Sequence, residues 1–226
     1  ENNKFLIYFK QDNKAQVLEY KHVIMATGRY ANVDELELEK ANVAYDKHGV
    51  IVNEKLQSSQ EHIYAVGDCI NGPKFAHTAS YEAGVAVHNI YASSAHVAGY
   101  DKNSWVLFSD PQVAIAGLDE QQAKKKNLDI SVEIYDFLSD ARAQINKRTD
   151  GFLKFIIDNK TKVIIGIEIV SEEASSLIGE ASLIIANNMT IMNILKAIHP
   201  HPTLTESFGK LAQQIFFKNM MQRSKD

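Results

Sequence analysis

The 226-residue sequence predicts an α/β segment followed by an α+β domain, and three observations carry that prediction. Two short apolar runs end in small or acidic residues: His22-Val23-Ile24-Met25 runs into Ala26-Thr27-Gly28, and His62-Ile63-Tyr64-Ala65-Val66 into Gly67-Asp68. A polar stretch, Ala98-Gly99-Tyr100-Asp101-Lys102-Asn103-Ser104, then interrupts the pattern where a domain boundary is expected. Beyond it, a series of β patterns precedes two amphipathic helices, the order expected of an antiparallel sheet covered on one face by helices.

The bulk composition narrows the class. Hydrophobic residues make up 45% and charged residues 23% of the chain, ordinary values for a globular protein. A formal net charge of -4 provides no basic field for nucleic acid. No apolar run approaches the roughly 20 residues that span a bilayer, so no membrane partner is expected. The single Cys, Cys69, excludes an internal disulfide framework and fits a reducing, cytoplasmic compartment. The sequence lacks an initial Met, and polar Glu1-Asn2-Asn3-Lys4 leads straight into a strand pattern, so a longer parent protein is expected.

Taken in order, Phe5-Leu6-Ile7-Tyr8-Phe9 and Ala15-Gln16-Val17-Leu18-Glu19-Tyr20 read as a hairpin around Gln11-Asp12-Asn13-Lys14. Residues 22–29 read as a short buried strand whose small terminal residues let a ligand, or a crossing loop, approach the backbone. Residues 31–61 are irregular, and 62–68 form a second buried strand. Asp68 at its end could accept from a ligand hydroxyl or cap the next turn; Cys69 reads as a small filler. After Gly72-Pro73, residues 75–96 read as a helix with a small packing face of Ala76, Ala79, Ala83, Gly84, Val87 and Ile90. His77 near its start could touch a ligand or simply be solvated.

In the second half, residues 105–108, 113–117, 130–138, 152–157 and 163–170 are β patterns. Asp119 can N-cap a short helix, and Asp158-Asn159-Lys160-Thr161 is a hairpin turn. Ala174, Leu177, Ile178, Ala181, Ile184 and Ile185 form one helical stripe; Leu204, Phe208, Leu211, Ala212, Ile215, Phe216 and Met220 form another.

Chemistry is concentrated in His199-Pro200-His201-Pro202-Thr203-Leu204-Thr205-Glu206. Thr203-x-x-Glu206 fits a capping box at the start of the last helix. The same rigid first turn is a good mount for a carboxylate that orients the His201 imidazole as a general acid or base. The two readings are compatible. His199 and His201 have no Cys or third His nearby, so no metal is expected. The chain contains no Cys pair, no Gly-x-Ser-x-Gly and no Gly-x-Gly-x-x-Gly, so the base must act on something supplied from elsewhere.

Five motifs in correct order resemble the class I pyridine nucleotide–disulfide oxidoreductase family. Ala26-Thr27-Gly28-Arg29-Tyr30-Ala31-Asn32 resembles its A-T-G-R-x-x-N segment, and Ser58 with Ile63-Tyr64-Ala65-Val66-Gly67-Asp68 its second FAD motif. Phe108-Ser109-Asp110-Pro111-Gln112-Val113-Ala114 with Gly117 is similar to the opening of its C-terminal dimerisation domain, continued by Arg142-Ala143, Gly151-Phe152-Leu153-Lys154 and Ile165-Gly166. His201-Pro202-Thr203-x-x-Glu206 resembles its catalytic histidine motif. Gly72-Pro73-Lys74-Phe75-Ala76-His77-x-Ala79-x-x-Glu82 and the His-x-His pair are most similar to the dihydrolipoamide dehydrogenase branch. Glutathione reductase-like members usually lack the upstream His, and mercuric reductase-like members carry a tyrosine-bearing motif instead. Lys74-Phe75 stands where that branch has Met-Leu.

The resemblance implies residues 1–30 as the end of an NAD(P)-binding domain, 31–102 as the C-terminal segment of a Rossmann-like FAD-binding domain, and 103–226 as a dimerisation domain. It implies FAD and NAD, or NADP, as cofactors. Asp68 would bond the FAD ribityl or phosphate region, Lys74, Phe75, Ala76 and His77 would lie along the flavin, and Gly28 near the nicotinamide nucleotide. His201, oriented by Glu206, would be the acid–base for a dithiol substrate and would serve the disulfide of the other subunit of a homodimer. A lipoyl group of a multienzyme complex is the substrate this branch implies; another disulfide reductase of the family, glutathione reductase-like or mercuric reductase-like, and a non-catalytic dimerisation module are the alternatives.

Overall fold

A computed structural model describes residues 4–223. β1 (Phe5–Gln11) and β2 (Lys14–Tyr20) pair antiparallel, Phe5 opposite Tyr20. Asp12 and Asn13 both adopt positive φ, 50° and 62°, the backbone that a two-residue hairpin turn matching strand twist requires.

Residues 22–29 depart from expectation: they form no strand. A strand exists through its ladder of hydrogen bonds, and this run meets no partner among the described residues. Ile24 and Met25 are 92% and 84% exposed. Residues 62–68 likewise contain one isolated bridge, Tyr64 to Gln57, and then a 3-10 turn, Gly67–Cys69, that carries Asp68. Between these runs lies a small two-residue ladder of β3 (Tyr45–Asp46) and β4 (Gly49–Val50). A local core of Ala31, Val33, Val43, Val50, Leu56 and Ile70 closes against Val85 and Ala86.

Those last two residues lie on α1 (Ala76–Tyr91), whose buried face is Thr78, Glu82, Val85 and Ala86. The small-residue face expected from the sequence is therefore not the inward one. Val87 and Ile90 are exposed, and a Cβ at Gly84 would meet nothing within 4 Å. The physical reason is Glu82: its buried carboxylate accepts from the Gly67 amide at 2.6 Å and the Tyr100 hydroxyl at 2.8 Å, which fixes the helix rotation. α1 also stops at Tyr91 rather than continuing to 96. There the Asn89 side chain donates to the carbonyls of Lys55 and His96 and accepts from the His96 amide, bonds that hold the chain in a bend.

The second half is a two-layer α+β unit. β5 (Ser104–Leu107), β6 (Gln112–Gly117), β7 (Ile130–Asp136), β8 (Phe152–Asp158) and β9 (Ile164–Ser171) form one antiparallel sheet in the order β5-β6-β9-β8-β7. α2 (Glu120–Lys125) opens with the expected Asp119 cap, which forms a reciprocal capping box with Gln122. Two short helices, α3 (Ala141–Asn146) and α5 (Ile191–Ile194), were not legible as helical stripes. The Asp158 carboxylate accepts from the Lys160 amide and the Thr161 hydroxyl, both at 2.8 Å, and so closes the β8–β9 hairpin.

The period-2 alternation decides which side is covered. Leu153 and Phe155 on β8, Ile167 and Ile169 on β9, and Ala114 and Ala116 on β6 are all buried in one cluster. Against them lie α4 (Ala174–Ala186), through Leu177, Ala181, Ile184 and Ile185, and α6 (Glu206–Arg223), through Phe208, Leu211, Ala212 and Ile215. The Phe155 and Phe208 rings sit 6.1 Å apart. Full burial of each such ring contributes roughly 1.5–3 kcal/mol. This packing fixes the first turn of α6, where the candidate site begins.

Candidate active site

The turn before α6 carries an exposed imidazole on a half-buried carboxylate. His201 Nδ1 lies 3.0 Å from both Glu206 carboxylate oxygens, while the His201 side chain remains 69% exposed and that of Glu206 14%. The carboxylate only accepts, so a neutral ring must carry its proton on Nδ1, which leaves Nε2 as the basic nitrogen. The His201–Pro202 peptide is cis.

Glu206 is held from three sides. Its Oε2 accepts from the Thr203 amide at 3.0 Å, which is one half of the expected capping box. The other half is replaced: the Thr203 hydroxyl donates to the Pro200 carbonyl at 2.6 Å and lies 3.0 Å from the Thr205 hydroxyl. Lys210, one turn along α6, places Nζ 3.9 Å from Glu206 Oε1. Burial alone would raise the Glu206 pKa, but the Thr203 amide, the His201 ring and Lys210 outweigh it and hold the carboxyl below its ordinary value.

A second imidazole–carboxylate contact stands beside the first. His199 Nε2 lies 2.8 Å from Glu180 Oε1 on α4, with the His199 side chain 12% exposed. A Cβ at Gly209 would sit 3.1 Å from His199 Nδ1, so the absence of a side chain there lets α6 close on that ring. The pair was missed in the sequence because its partner lies 19 positions away on another helix. Lys210 also donates to Asp140 Oδ2 at 3.1 Å, another contact with no local sequence signal.

The other predicted residues gather elsewhere. Arg29 Nη1 pairs with Asp68 Oδ2 at 2.9 Å, and its second nitrogen donates to the Lys74 carbonyl. Lys74 Nζ returns to the Asp68 carbonyl at 2.7 Å and the Ile70 carbonyl at 3.1 Å. Gly28, next to Arg29, has φ +125°, a conformation that favours glycine whatever the surrounding space. His77 Nε2 bonds the Ser104 carbonyl at 2.6 Å, and Phe75 stacks between His77 and Trp105 at centroid distances of 5.4 and 6.4 Å. No described hydrogen bond or ion pair joins this group to His201.

The donor set around Asp68 suits a polyhydroxyl or phosphate-bearing ligand in character. Asp68 is a half-exposed acceptor for hydroxyls, and Arg29 and Lys74 bring two cations beside it. The first turn of α1 has no side-chain cap, which leaves amide donors at Ala76 and His77 for an acceptor. Glu82 supports the arrangement from beneath by tying Gly67 to α1. Among the described residues, no three His, Cys, Asp or Glu side chains converge as metal ligands. No helix among them is long and apolar enough to cross a membrane.

Comparisons with known proteins follow this division. Residues 1–83 match the family model described as pyridine nucleotide-disulphide oxidoreductase, and residues 103–212 match its dimerisation domain. A mercuric reductase of Staphylococcus aureus is 36% identical over 219 residues, covering 96% of this chain and 40% of that protein. A dihydrolipoyl dehydrogenase of Geobacillus stearothermophilus is 36% identical over 201 residues, covering 88% of this chain and 43% of that protein. The chain thus spans about two-fifths of the length of these curated relatives. Among solved structures, LpdA from Mycobacterium tuberculosis superposes with a TM-score of 0.82 at 21% identity, covering 88% of this chain and 44% of that one. The HOCl-induced flavoprotein disulfide reductase RclA of Escherichia coli gives 0.81 at 22% identity, covering 95% of this chain and 49% of that one; both likenesses concern the fold.

Proposed function

The chain belongs to the pyridine nucleotide–disulphide oxidoreductase family, and from that premise we propose that it is the C-terminal portion of a flavin-dependent dithiol dehydrogenase of the dihydrolipoamide type. In this reading, residues 1–30 end the NAD(P)-binding domain, 31–102 complete the FAD-binding domain, and 103–226 form the dimerisation domain of a homodimer. Asp68 accepts from the ribityl or phosphate portion of FAD, Lys74, Phe75, Ala76 and His77 flank the flavin, and Gly28 borders the NAD or NADP site. FAD, when bound, supplies a two-electron carrier between thiols and nicotinamide.

The observation that carries the proposal is the His201–Glu206 pair, with Nδ1 at 3.0 Å from the carboxylate and the ring exposed. Glu206 fixes the tautomer, so Nε2 faces outward as a base. It takes a proton from a dithiol substrate. The thiolate so formed attacks a disulfide on the partner subunit, breaking its S–S bond to form a mixed disulfide and release the second sulfur as thiolate. Positioned acid–base groups of this kind contribute about 10²–10⁴-fold. Glu206, kept ionised, stabilises the imidazolium while the proton resides there. A lipoyl dithiol on a larger complex is the substrate class most consistent with the His-x-His turn.

The similarity to a mercuric reductase favours a second reading, metal-ion reduction by a related flavoprotein. An assay of the full-length protein separates them. Turnover of dihydrolipoamide with NAD+, lost in His201→Gln, supports the proposal. Nicotinamide-dependent Hg2+ reduction without dithiol turnover supports the second reading. A stable dimer with neither activity supports a dimerisation module.

A further inference from the structure

Behind Glu206 runs a chain of charged and polar groups into the α+β core that the proton transfer does not itself require. Lys210 Nζ sits 3.9 Å from Glu206 Oε1, too long for a hydrogen bond but within an ion pair, and 3.1 Å from Asp140 Oδ2, where it donates. Asp140 is fully buried. It N-caps α3 by accepting from the amides of Arg142 at 2.9 Å and Ala143 at 3.1 Å, and it accepts the Tyr135 hydroxyl of β7 at 3.1 Å. Lys210 also lies over the Tyr135 ring, 5.9 Å from its centroid. The cation therefore stands between one carboxylate welded to the core and another that touches the His201 ring.

We infer that Lys210 is a positioning residue for the His201–Glu206 pair, anchoring the Glu206 carboxylate through Asp140 to the core and thereby fixing the His201 tautomer. This rests on the proposed role of that pair and adds a residue to it. The groups facing Lys210 are Glu206 of its own helix, Asp140 before α3 and Tyr135 of β7; His201 and the Thr203 amide face Glu206 from the turn. An anchored Asp140 keeps the lysine from following Glu206 when that side chain rotates. Glu206 thus has an electrostatic reason to keep one rotamer, the one in which it accepts from Nδ1. A lysine free in solvent would sample many positions and impose no such geometry.

The test is 15N NMR of ring-labelled histidine in protein containing the complete 226-residue chain, at a pH where the His201 ring is neutral. Wild type is expected to show His201 mainly as the Nδ1–H tautomer. Lys210→Met is expected to lower the ratio of Nδ1–H to Nε2–H about three-fold, the scale of a partly exposed ion pair. Lys210→Arg, which keeps the charge and the Asp140 bond, is expected to restore it. Should Lys210→Met fail to fold with Asp140 unpaired, Lys210→Gln, which retains a donor for Asp140 without the charge, is expected to give the same shift. Glu206→Ala serves as the reference for loss of the pair itself. A normal tautomer in the charge-removing variant, with loss in Glu206→Ala, overturns the role of Lys210 alone. A ratio unchanged even in Glu206→Ala overturns the pair and the inference together.

Discussion

His199 and Glu180 make an imidazole–carboxylate contact at 2.8 Å that ties the histidine turn to α4, two residues before the exposed His201 makes its own at 3.0 Å to α6. One turn is therefore clamped to both long helices of the domain. The half-buried contact braces the turn, and the exposed one leaves its imidazole open to solvent. Glu180→Ala is expected to cost about 1 kcal/mol of stability, since the pair is only partly shielded. It should also lower dithiol turnover in the full-length protein by displacing His201. Thermal denaturation and steady-state kinetics on the same preparation check both; an unchanged Tm would mean that the Glu206 and Thr203–Pro200 bonds hold the turn without Glu180.

Glu82 places a buried carboxylate between the Gly67 amide at 2.6 Å and the Tyr100 hydroxyl at 2.8 Å. Burial first, then the bond to this carboxylate, pushes the Tyr100 phenol well above its ordinary value, so it remains a donor throughout the usable pH range. Glu82→Ala is expected to destabilise the Asp68 region by about 2–4 kcal/mol by orphaning the buried Gly67 amide and the half-buried Tyr100 hydroxyl. Tyr100→Phe, which removes one bond, should cost about 1 kcal/mol. Chemical denaturation measures the difference, and FAD retention in the full-length protein should weaken with Glu82→Ala more than with Tyr100→Phe.

Acid should loosen the histidine domain through Asp140. Burial would raise this carboxyl, but the Ala143 amide, Lys210 and Tyr135 overcome that and hold it below its ordinary value. The unfolded chain therefore takes up the proton first. The stabilisation is complete above the ordinary carboxylate value of about 3.9 and is lost as pH falls through the lower folded value. Asp140→Asn is expected to be less stable at neutral pH and to show a shallower loss of stability below pH ~4. Urea denaturation at several pH values measures the slope; an unaltered slope contradicts the assignment.

Gly151 precedes β8 with φ +145°, and a Cβ there would clash with the Val170 carbonyl oxygen on the neighbouring strand. Gly151→Ala is expected to cost on the order of 2–4 kcal/mol, combining backbone strain with a contact to backbone that cannot yield cheaply. Gly84→Ala on α1, where a Cβ meets nothing, should instead gain a few tenths of a kcal/mol to about 1 kcal/mol. Paired denaturation curves compare the two.

The dimerisation half was legible because its residues obey local periods. The apolar, β-favouring run at 152–157 and the i, i+3, i+4 stripe beginning at Ala174 reflect burial, which sequence records directly. The strands read at 22–29 and 62–68 failed for a different reason: an apolar run signals burial, but a strand needs a ladder partner, and that partner is a non-local fact. Exposed Ile24 and Met25 carry the signal without the ladder. On α1, the small residues suggested one inward face, whereas the Glu82 contacts with Gly67 and Tyr100 chose another. His201 and Glu206 were legible as a pair because five residues and a cap bring them together. Glu180 and Asp140 were not, because each reaches the site from a separate element.

The most direct test of the acid–base role is the reductive half-reaction of the full-length flavoprotein, followed at the flavin absorbance after rapid mixing with excess dihydrolipoamide. The expected result is that His201→Gln slows dithiol-driven reduction by at least 10²-fold while reduction by NADH proceeds at the wild-type rate. Equal dithiol-driven rates in wild type and His201→Gln would contradict the account and leave the turn a structural clamp.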